Sequence, residues 1–350
     1  MSTKNYIDKR ELSHDEWLAG RQHYLGASET AAVLGLDKYR TPFQVWAEKT
    51  GRAEKVDNPH LAARAEAGRR AEDFIAQWIG DKYDLKVRRD NKIRLHSNME
   101  FWGANLDRLI VGKEVGPIPL EIKTGTFESI KTWSIHGDEI NPLFMHHWVQ
   151  VQSQLAITGY NLGFIGAMPA DSYRGFGEPV LIEITPDVEF IAGMEEKIRR
   201  FWEDHILKDV PPEITTLGDM SIMFPKSTPG KTIDLLDDQY QLLQELKQIQ
   251  DNLKESEERK EQIKTALALL MGDAEEAVYN GATLITYKSG KDKQQFNSDK
   301  FMNNYPDLAE NCSVKIIDED EAKAKFTEQY LECCDTFPGS RRFSPKYNKL

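Results

Sequence analysis

Between residues 59 and 80, in PHLAARAEAGRRAEDFIAQWIG, apolar side chains recur every three or four positions. Leu61, Ala65, Phe74, Ile75 and Trp78 share one side, a spacing that predicts a helix. Downstream the pattern changes. VRRDNKIRLH, FWGANLDRLIV and IPLEIKTG are short β-type runs separated by Asn, Gly and Pro, as in consecutive antiparallel strands. A second helical pattern covers about 142–158 (PLFMHHWVQVQSQLAIT), followed by strands LGFIGAM and VLIEIT and a helix over 187–206. Upstream, residues 14–50 read as two short helices. Ser13 or Asp15 can cap the first, and Ser28 opens the second, over Ser28–Leu34. Helix, three strands, helix, two strands, helix is the order of an α/β fold with a central mixed sheet flanked by helices.

The segment 209–232, with Pro211, Pro212, Pro225 and Pro229, is loop-like and marks a boundary. Residues 234–277 then contain no Pro and a single Gly, and Leu236, Tyr240, Leu243, Leu246, Ile249, Leu253, Ile263, Leu267 and Leu270 recur at helical spacing. This predicts one long helix or a helical hairpin, with a middle, KESEERKEQ, too hydrophilic to be buried. Either it is a solvated or packed helix, or it makes a coiled-coil contact with another subunit or partner. A small α+β tail ends in Gly339–Lys346. The expected organisation is a first domain over 1–210, a linker over 211–232 and a helical and α+β extension over 233–350.

Composition narrows the function classes. The chain is 40% hydrophobic and 29% charged, as in an ordinary globular protein, and no apolar run approaches the roughly 20 residues that a bilayer span requires. The start, MSTKNYIDKR, lacks the apolar core of a secretion signal, so the expected location is the cytoplasm, with no membrane partner. Cys312, Cys333 and Cys334 have neither metal-ligand spacing nor an even disulfide framework. They read as free thiols and argue against nucleases that carry a four-cysteine iron–sulfur cluster. A net charge of −12 argues against a protein that coats nucleic acid indiscriminately. It is compatible with an enzyme whose carboxylates hold divalent cations, because the ions then supply the positive charge a phosphate meets.

The strand GANLDRLI carries Asp107, and the strand LEIK carries Glu121 and Lys123. Alternation along a strand sends Glu121 and Lys123 to one face and Leu120 and Ile122 to the other. If the two strands pair, two carboxylates and an ammonium converge. That triplet suits phosphodiester hydrolysis. Asp107 and Glu121 offer hard oxygen ligands to Mg²⁺, with the backbone carbonyl of Ile122 adding to the shell. The ion activates water, and Lys123 orients or helps deprotonate it and adds positive charge. Glu72, in Gly68-Arg-Arg-Ala-Glu72, is a candidate third carboxylate. Gln150, Gln152 and Gln154 lie in a largely apolar run, with Gln150 and Gln154 on one helix face, so one of them has a polar task. The stretch 82–94, KYDLKVRRDNKIR, has six basic residues against two acidic and is either a local phosphate track or a solvated strand edge.

Together these residues resemble the lambda-type phage exonucleases, which are grouped with the YqaJ-like viral recombinases in the PD-(D/E)xK nuclease superfamily. The likeness spans about residues 13–205. Trp17-Leu-Ala-Gly-Arg21 followed by Leu25-Gly-Ala-Ser28 resembles the family's opening pattern. Gly68-x-x-x-Glu72, Asp107, Glu121-Ile-Lys123 and Gln150-Val-Gln152 follow in order. Leu106 and Thr124 stand where many members have Pro and Cys. The resemblance implies a restriction-endonuclease-like core and a site of Glu72, Asp107, Glu121, Lys123 and Gln150. It also implies a pair of Mg²⁺ ions, with Mn²⁺ as a substitute, and a 5′-phosphate pocket formed by Arg21 and Ser28. The implied activity is 5′-to-3′ digestion of double-stranded DNA ends by a ring-shaped homotrimer in a bacterial host cell, leaving 3′ single strands for a single-strand annealing protein. Two other readings fit the same residues: a structure-selective or restriction-type endonuclease, and a non-catalytic DNA-end-binding scaffold.

Overall fold

The computed structural model describes residues 6–11, 13, 20–53, 59–112, 116–133, 135–136, 139–142, 144–171, 175–288, 303–304, 306 and 323–332. It divides into two compact units, Met1–Lys226 and Ser227–Leu350. In the first unit the strands are Tyr6–Asp8 (β1), Leu25–Gly26 (β2), Val87–Arg89 (β3), Lys92–His96 (β4), Met99–Asn105 (β5), Arg108–Ile110 (β6) and Ile118–Gly125 (β7). They continue with Ile135–His136 (β8), Glu139–Ile140 (β9), Gly163–Asp171 (β10), Gly175–Phe176 (β11) and Val180–Ile184 (β12). The helices are Thr30–Val33 (α1), Pro42–Lys49 (α2), Pro59–Tyr83 (α3), Phe127–Lys131 (α4), Met145–Thr158 (α5), Val188–Phe201 (α6) and Leu217–Met223 (α7).

The three runs read as consecutive antiparallel strands are divided between two sheets. One has the order β1-β4-β5-β2; the other has the order β11-β10-β7-β6-β3, with β12 added antiparallel to β10. The chain changes sheet between β5 and β6, where only Leu106 and Asp107 intervene. β6 pairs antiparallel with β7, whereas β7 and β10 run parallel, so the second sheet is mixed as expected. Parallel neighbours need a long crossover, and α5 lies within it.

β7 is covered on both faces. Leu120 and Ile122 join Ile75, Ala76 and Ile79 of α3 and Met168 of β10 in one apolar cluster. The larger core gathers side chains of α2, α5 and α6, including the fully buried Phe43, Val149 and Ile198. Gly166 of β10 lets α3 approach closely, since a Cβ there would collide with the Ile79 Cδ1. α3 exceeds its expected range by one turn and begins at Pro59, where the missing N–H costs nothing. Its inward stripe is centred on Ile75 and Ile79, both 0% exposed; Phe74, expected on that stripe, is 47% exposed and packs against the rings of Trp78 and Phe176. Of the two short helices expected over 14–50, residues 14–19 lie outside the described residues. From Gly20 onward the chain forms tight 3₁₀ turns at Arg21–His23 and Ala27–Glu29, then α1 and α2.

Part of the expected linker over 211–232 is bound to the first unit. Asp219 of α7 is fully buried; its carboxylate accepts the Thr41 hydroxyl at 2.7 Å and the N–H groups of Thr215 and Thr216 at 3.0 and 3.1 Å. In the second unit, Asp237–Met271 (α8) is one uninterrupted helix, not a hairpin. It is followed by a two-stranded ribbon, Glu276–Tyr279 (β13) and Ala282–Thr286 (β14). Their turn is Asn280-Gly281, at φ 49 and 81, the two left-handed positions that a tight hairpin requires. The three cysteines and the Gly339–Lys346 tail lie outside the described residues. Among the described residues no helix is long and apolar enough to cross a membrane.

Candidate active site

The sheet change fixes Asp107. It is the last residue before β6, and its Oδ2 accepts the Ile122 N–H of β7 at 2.9 Å. Backbone N–H and C=O of one strand residue leave by the same edge, so the Ile122 carbonyl is directed to the Asp107 side of β7 as well. Glu121, only 2% exposed, lies on the face of β7 that meets α5. Its Oε1 accepts Lys123 Nζ at 2.7 Å and Gln150 Nε2 at 2.6 Å, and its Oε2 accepts Gln154 Nε2 at 2.6 Å. Gln150 and Gln154, one helical turn apart, therefore both serve Glu121. Gln152 faces elsewhere: its Nε2 donates to the Thr185 carbonyl at 2.8 Å and its Oε1 accepts the Asp187 N–H at 3.0 Å, tying α5 to the start of α6.

The electrostatics are those of negative charge gathered in a dry place. Burial, and then the nearby Glu121 carboxylate, push Asp107 up to about 8, against the opposing pull of Lys123 and the Ile122 N–H. Desolvation works against the Lys123 ammonium, but Glu121 and Asp107 outweigh it and hold its pKa above the ordinary lysine value. Burial raises Glu72 on α3; Arg108 opposes the shift and Glu121 adds to it. Glu72 stands 3.6 Å from Arg108 Nη1. Among the described residues no three His, Cys, Asp or Glu side chains are gathered as ligands for one ion. The close group is the pair Asp107 and Glu121 with Lys123, and Glu72 lies beyond it.

Three features were not read from the sequence. Arg108, with a side chain 7% exposed, donates to the Asp107 carbonyl at 2.6 Å and to Asp73 Oδ1 at 2.7 Å, joining α3 to the sheet change. Its only signal is an arginine inside a β-type run, which ordinarily reads as a solvated charge. Lys9 follows β1, and its N–H bonds the Asn91 carbonyl at 2.8 Å. Burial lowers its pKa, while Asp90, Asp107 and Glu72 draw it back up. No local pattern links Lys9 to Asp107. Finally, the His146 and His147 rings lie 3.8 Å apart between centroids, tilted by 44°, at the start of α5, with Trp133 4.6 Å from His147; burial and then Lys123 hold His147 far below the usual histidine range.

Ser28 is exposed in the Ala27–Glu29 turn. That turn is clamped from beneath. Glu29 Oε2 accepts the Gly26 N–H at 2.7 Å and pairs with Lys49 Nζ at 2.7 Å, the two side chains being 5% and 4% exposed. The backbone of Arg21 is described but its side chain is not, and Trp17–Ala19 lie outside the described residues. In the basic stretch, Lys82 pairs with Glu178, Arg89 with Asp73 and Arg94 with Asp90, and Lys92 lies over the Tyr6 ring. Most of that charge is engaged within the protein.

Residues 16–161 match the model of the YqaJ-like viral recombinase domain. The chain is 29% identical over 271 residues to the uncharacterized protein YqaJ of Bacillus subtilis, covering 76% of this chain and 80% of that one. Among solved structures it is similar to the alkaline exonuclease LHK-Exo of Laribacter hongkongensis, with 19% identity, TM-score 0.43, and 56% of this chain and 94% of that chain covered. It is also similar to a phage-related exonuclease from Haemophilus somnus, with 14% identity, TM-score 0.34, and coverage of 53% and 96%. The likeness to the YqaJ-like viral recombinase domain therefore spans residues 16–161 of this chain.

Proposed function

We propose that this protein is a divalent-cation-dependent deoxyribonuclease that digests double-stranded DNA from its ends in the 5′-to-3′ direction. The observation that carries the reading is the buried Glu121 carboxylate, held by Lys123, Gln150 and Gln154, with the Asp107 carboxylate bonded to the N–H of the next residue, Ile122. A structural role alone gives little reason to bury the Glu121 carboxylate with the half-buried Asp107 nearby. Burial, with the Glu121 carboxylate adding to it, drives Asp107 up to about 8. A hard cation completes such a donor set. Mg²⁺ commonly takes only one or two carboxylates and fills its remaining positions with water and phosphate oxygens, so a pair is enough.

Asp107 and Glu121, with the Ile122 carbonyl, would hold Mg²⁺ or Mn²⁺, and Glu72 is the additional carboxylate for a second ion. When bound, the metal supplies an activated water and neutralises charge on the scissile phosphate. The chain's own groups do the rest. Gln150 and Gln154 fix the Glu121 carboxylate so that it needs no reorganisation during the reaction. Lys123, kept protonated by its carboxylate neighbours, places a positive charge beside the phosphate and orients the water; its raised pKa favours this role over proton abstraction. Arg108, at the start of β6, ties the Asp107 carbonyl to Asp73 of α3.

End selection is assigned to Arg21 and Ser28, the latter exposed on the clamped turn, as a pocket for a 5′-phosphate. The family resemblance adds a homotrimeric ring and delivery of the 3′ strand to an annealing protein. The experiment that tests the reading incubates the protein and Mg²⁺ with linear and closed circular duplexes. Loss of the linear form alone supports an exonuclease, cleavage of circles supports an endonuclease, and loss of neither leaves a DNA-end-binding scaffold.

A further inference from the structure

The 35-residue helix α8 carries an apolar stripe whose symmetry points to its partner. Positions 246, 253, 260 and 267 form a heptad series with Leu246, Leu253 and Leu267 at three of them, and Ile249, Ile263 and Leu270 fall at the positions three residues later, the a and d pattern of a coiled coil. Apart from the half-buried Leu246, these side chains are open within the described chain: Leu253 is 65% exposed, Ile249 48%, Ile263 46%, Leu267 40% and Leu270 85%. Helices of this kind draw most of their stability from packing an apolar face, and here that face is open. Charge pairs such as Lys264–Glu261, at 2.6 Å, are of the kind a solvated outer face carries.

Two positions interrupt the stripe, Ser256 at a d position and Lys260 at an a position. They lie symmetrically about residue 258. Reversing the helix about that point places Leu246 opposite Leu270, Ile249 opposite Leu267, Leu253 opposite Ile263, and Ser256 opposite Lys260. From Leu246 to Leu270 every apolar a or d side chain then meets an apolar one, and the two polar positions meet each other. Glu257 and Lys260, already paired at 2.7 Å within one helix, gather at the axis as two acids and two bases. Arg259 meets its own copy on the solvated flank, where Glu255 and Glu258 screen it. A parallel, in-register pair fares worse, because it packs two Lys260 ammonium groups into the seam and sets Arg259 against Lys264 on both flanks.

We propose that α8 pairs with α8 of a second copy of this chain as an antiparallel coiled coil centred on residue 258. The interface has two-fold symmetry, so the assembly has an even number of chains: a dimer if the first units do not associate, or a hexamer of two rings if they form trimers. The proposal is independent of the nuclease reading. Its test is the mass in solution of the full-length chain and of the double variant Leu253→Lys, Ile263→Lys, by light scattering after gel filtration. An even-numbered assembly whose mass falls two-fold in the variant is expected. A monomer, an odd number of chains or an unchanged mass would overturn the proposal. Orientation is read from spin labels on Gln248→Cys in a chain with Cys312, Cys333 and Cys334 changed to Ser. The 20 residues separating position 248 from its symmetry image at 268 correspond to roughly 30 Å along the axis at about 1.5 Å per residue. A single distance limited to the helix-to-helix width of about 10–20 Å would show a parallel pair and refute the arrangement.

Discussion

Asp107 is desolvated near Glu121, and that burial, with the repulsion between the two carboxylates, has a measurable consequence. A carboxyl whose folded pKa is raised from 3.8 to about 8 favours the folded state most below its unfolded value and loses that contribution as the pH climbs. Metal-free protein should therefore lose stability between about pH 4 and pH 8. Asp107→Asn removes the titrating group, so in chelator its melting temperature should exceed the wild type's at pH 8 by at least roughly 2–4 °C, the shift that about 1 kcal/mol produces in a unit of this size. The two proteins should converge near pH 4. Adding Mg²⁺ should raise the wild-type melting temperature at pH 8 and leave the variant's nearly unchanged; equal responses would show that the pair holds no cation. Arg21 makes a separate prediction. If its guanidinium grips a terminal phosphate, Arg21→Ala should slow digestion of 5′-phosphorylated ends by about 10-fold or more, the loss of a charge-assisted bond of roughly 1.5–3 kcal/mol, and barely change digestion of 5′-hydroxyl ends. Equal slowing on both would make Arg21 a structural residue.

The turn at Ala27–Glu29 owes its shape to α2 as much as to its own sequence. Glu29 is buried against Lys49, and although burial alone would raise its pKa, Lys49 and Arg40 hold it below the usual carboxylate value. A depressed carboxyl stabilises the fold above its unfolded pKa and loses that contribution on acidification. Lys49→Met leaves Glu29 buried with only Arg40 nearby, and breaking such a pair costs about 3–5 kcal/mol. Chemical denaturation at pH 7 should show that loss, and the gap from wild type should narrow towards pH 4. Much of this element-level structure was legible in advance. The periodicities at 59–80 and 142–158 gave α3 and α5, and alternation in LEIK put Leu120 and Ile122 opposite Glu121 and Lys123, on the face that α3 turns out to cover. The burial of Glu121 was not legible, because β7 is covered on both faces and a polar residue in such a strand needs partners from α5. The division into two sheets also escaped notice, since the switch occupies only Leu106 and Asp107 and carries no Gly or Pro signal.

Across the whole molecule, long-range placement was the least readable property. Asp107, Glu121 and Lys123 are close in sequence and their convergence followed from strand pairing. Glu72 was expected beside them, but Arg108 holds its end of α3, and a buried arginine at a strand start looks the same in sequence as a solvated one. Lys9 comes from the opposite end of the first sheet and has no spacing signature at all. Asp219 returns from beyond α6 to the hydroxyl of Thr41, which is why the first unit extends to Lys226. The site that results is a carboxylate pair with an ammonium, which the proposed function takes as a seat for a cation against a DNA backbone. Its most direct test is a digestion time course with Mg²⁺ on linear duplexes labelled at either the 5′ or the 3′ end, comparing wild type with Glu121→Gln. Early release of the 5′ label, survival of the 3′-labelled strand as a shortening single strand, and loss of at least about 100-fold in rate for the variant are expected. Undiminished digestion by Glu121→Gln, or release of the 3′ label first, would contradict it.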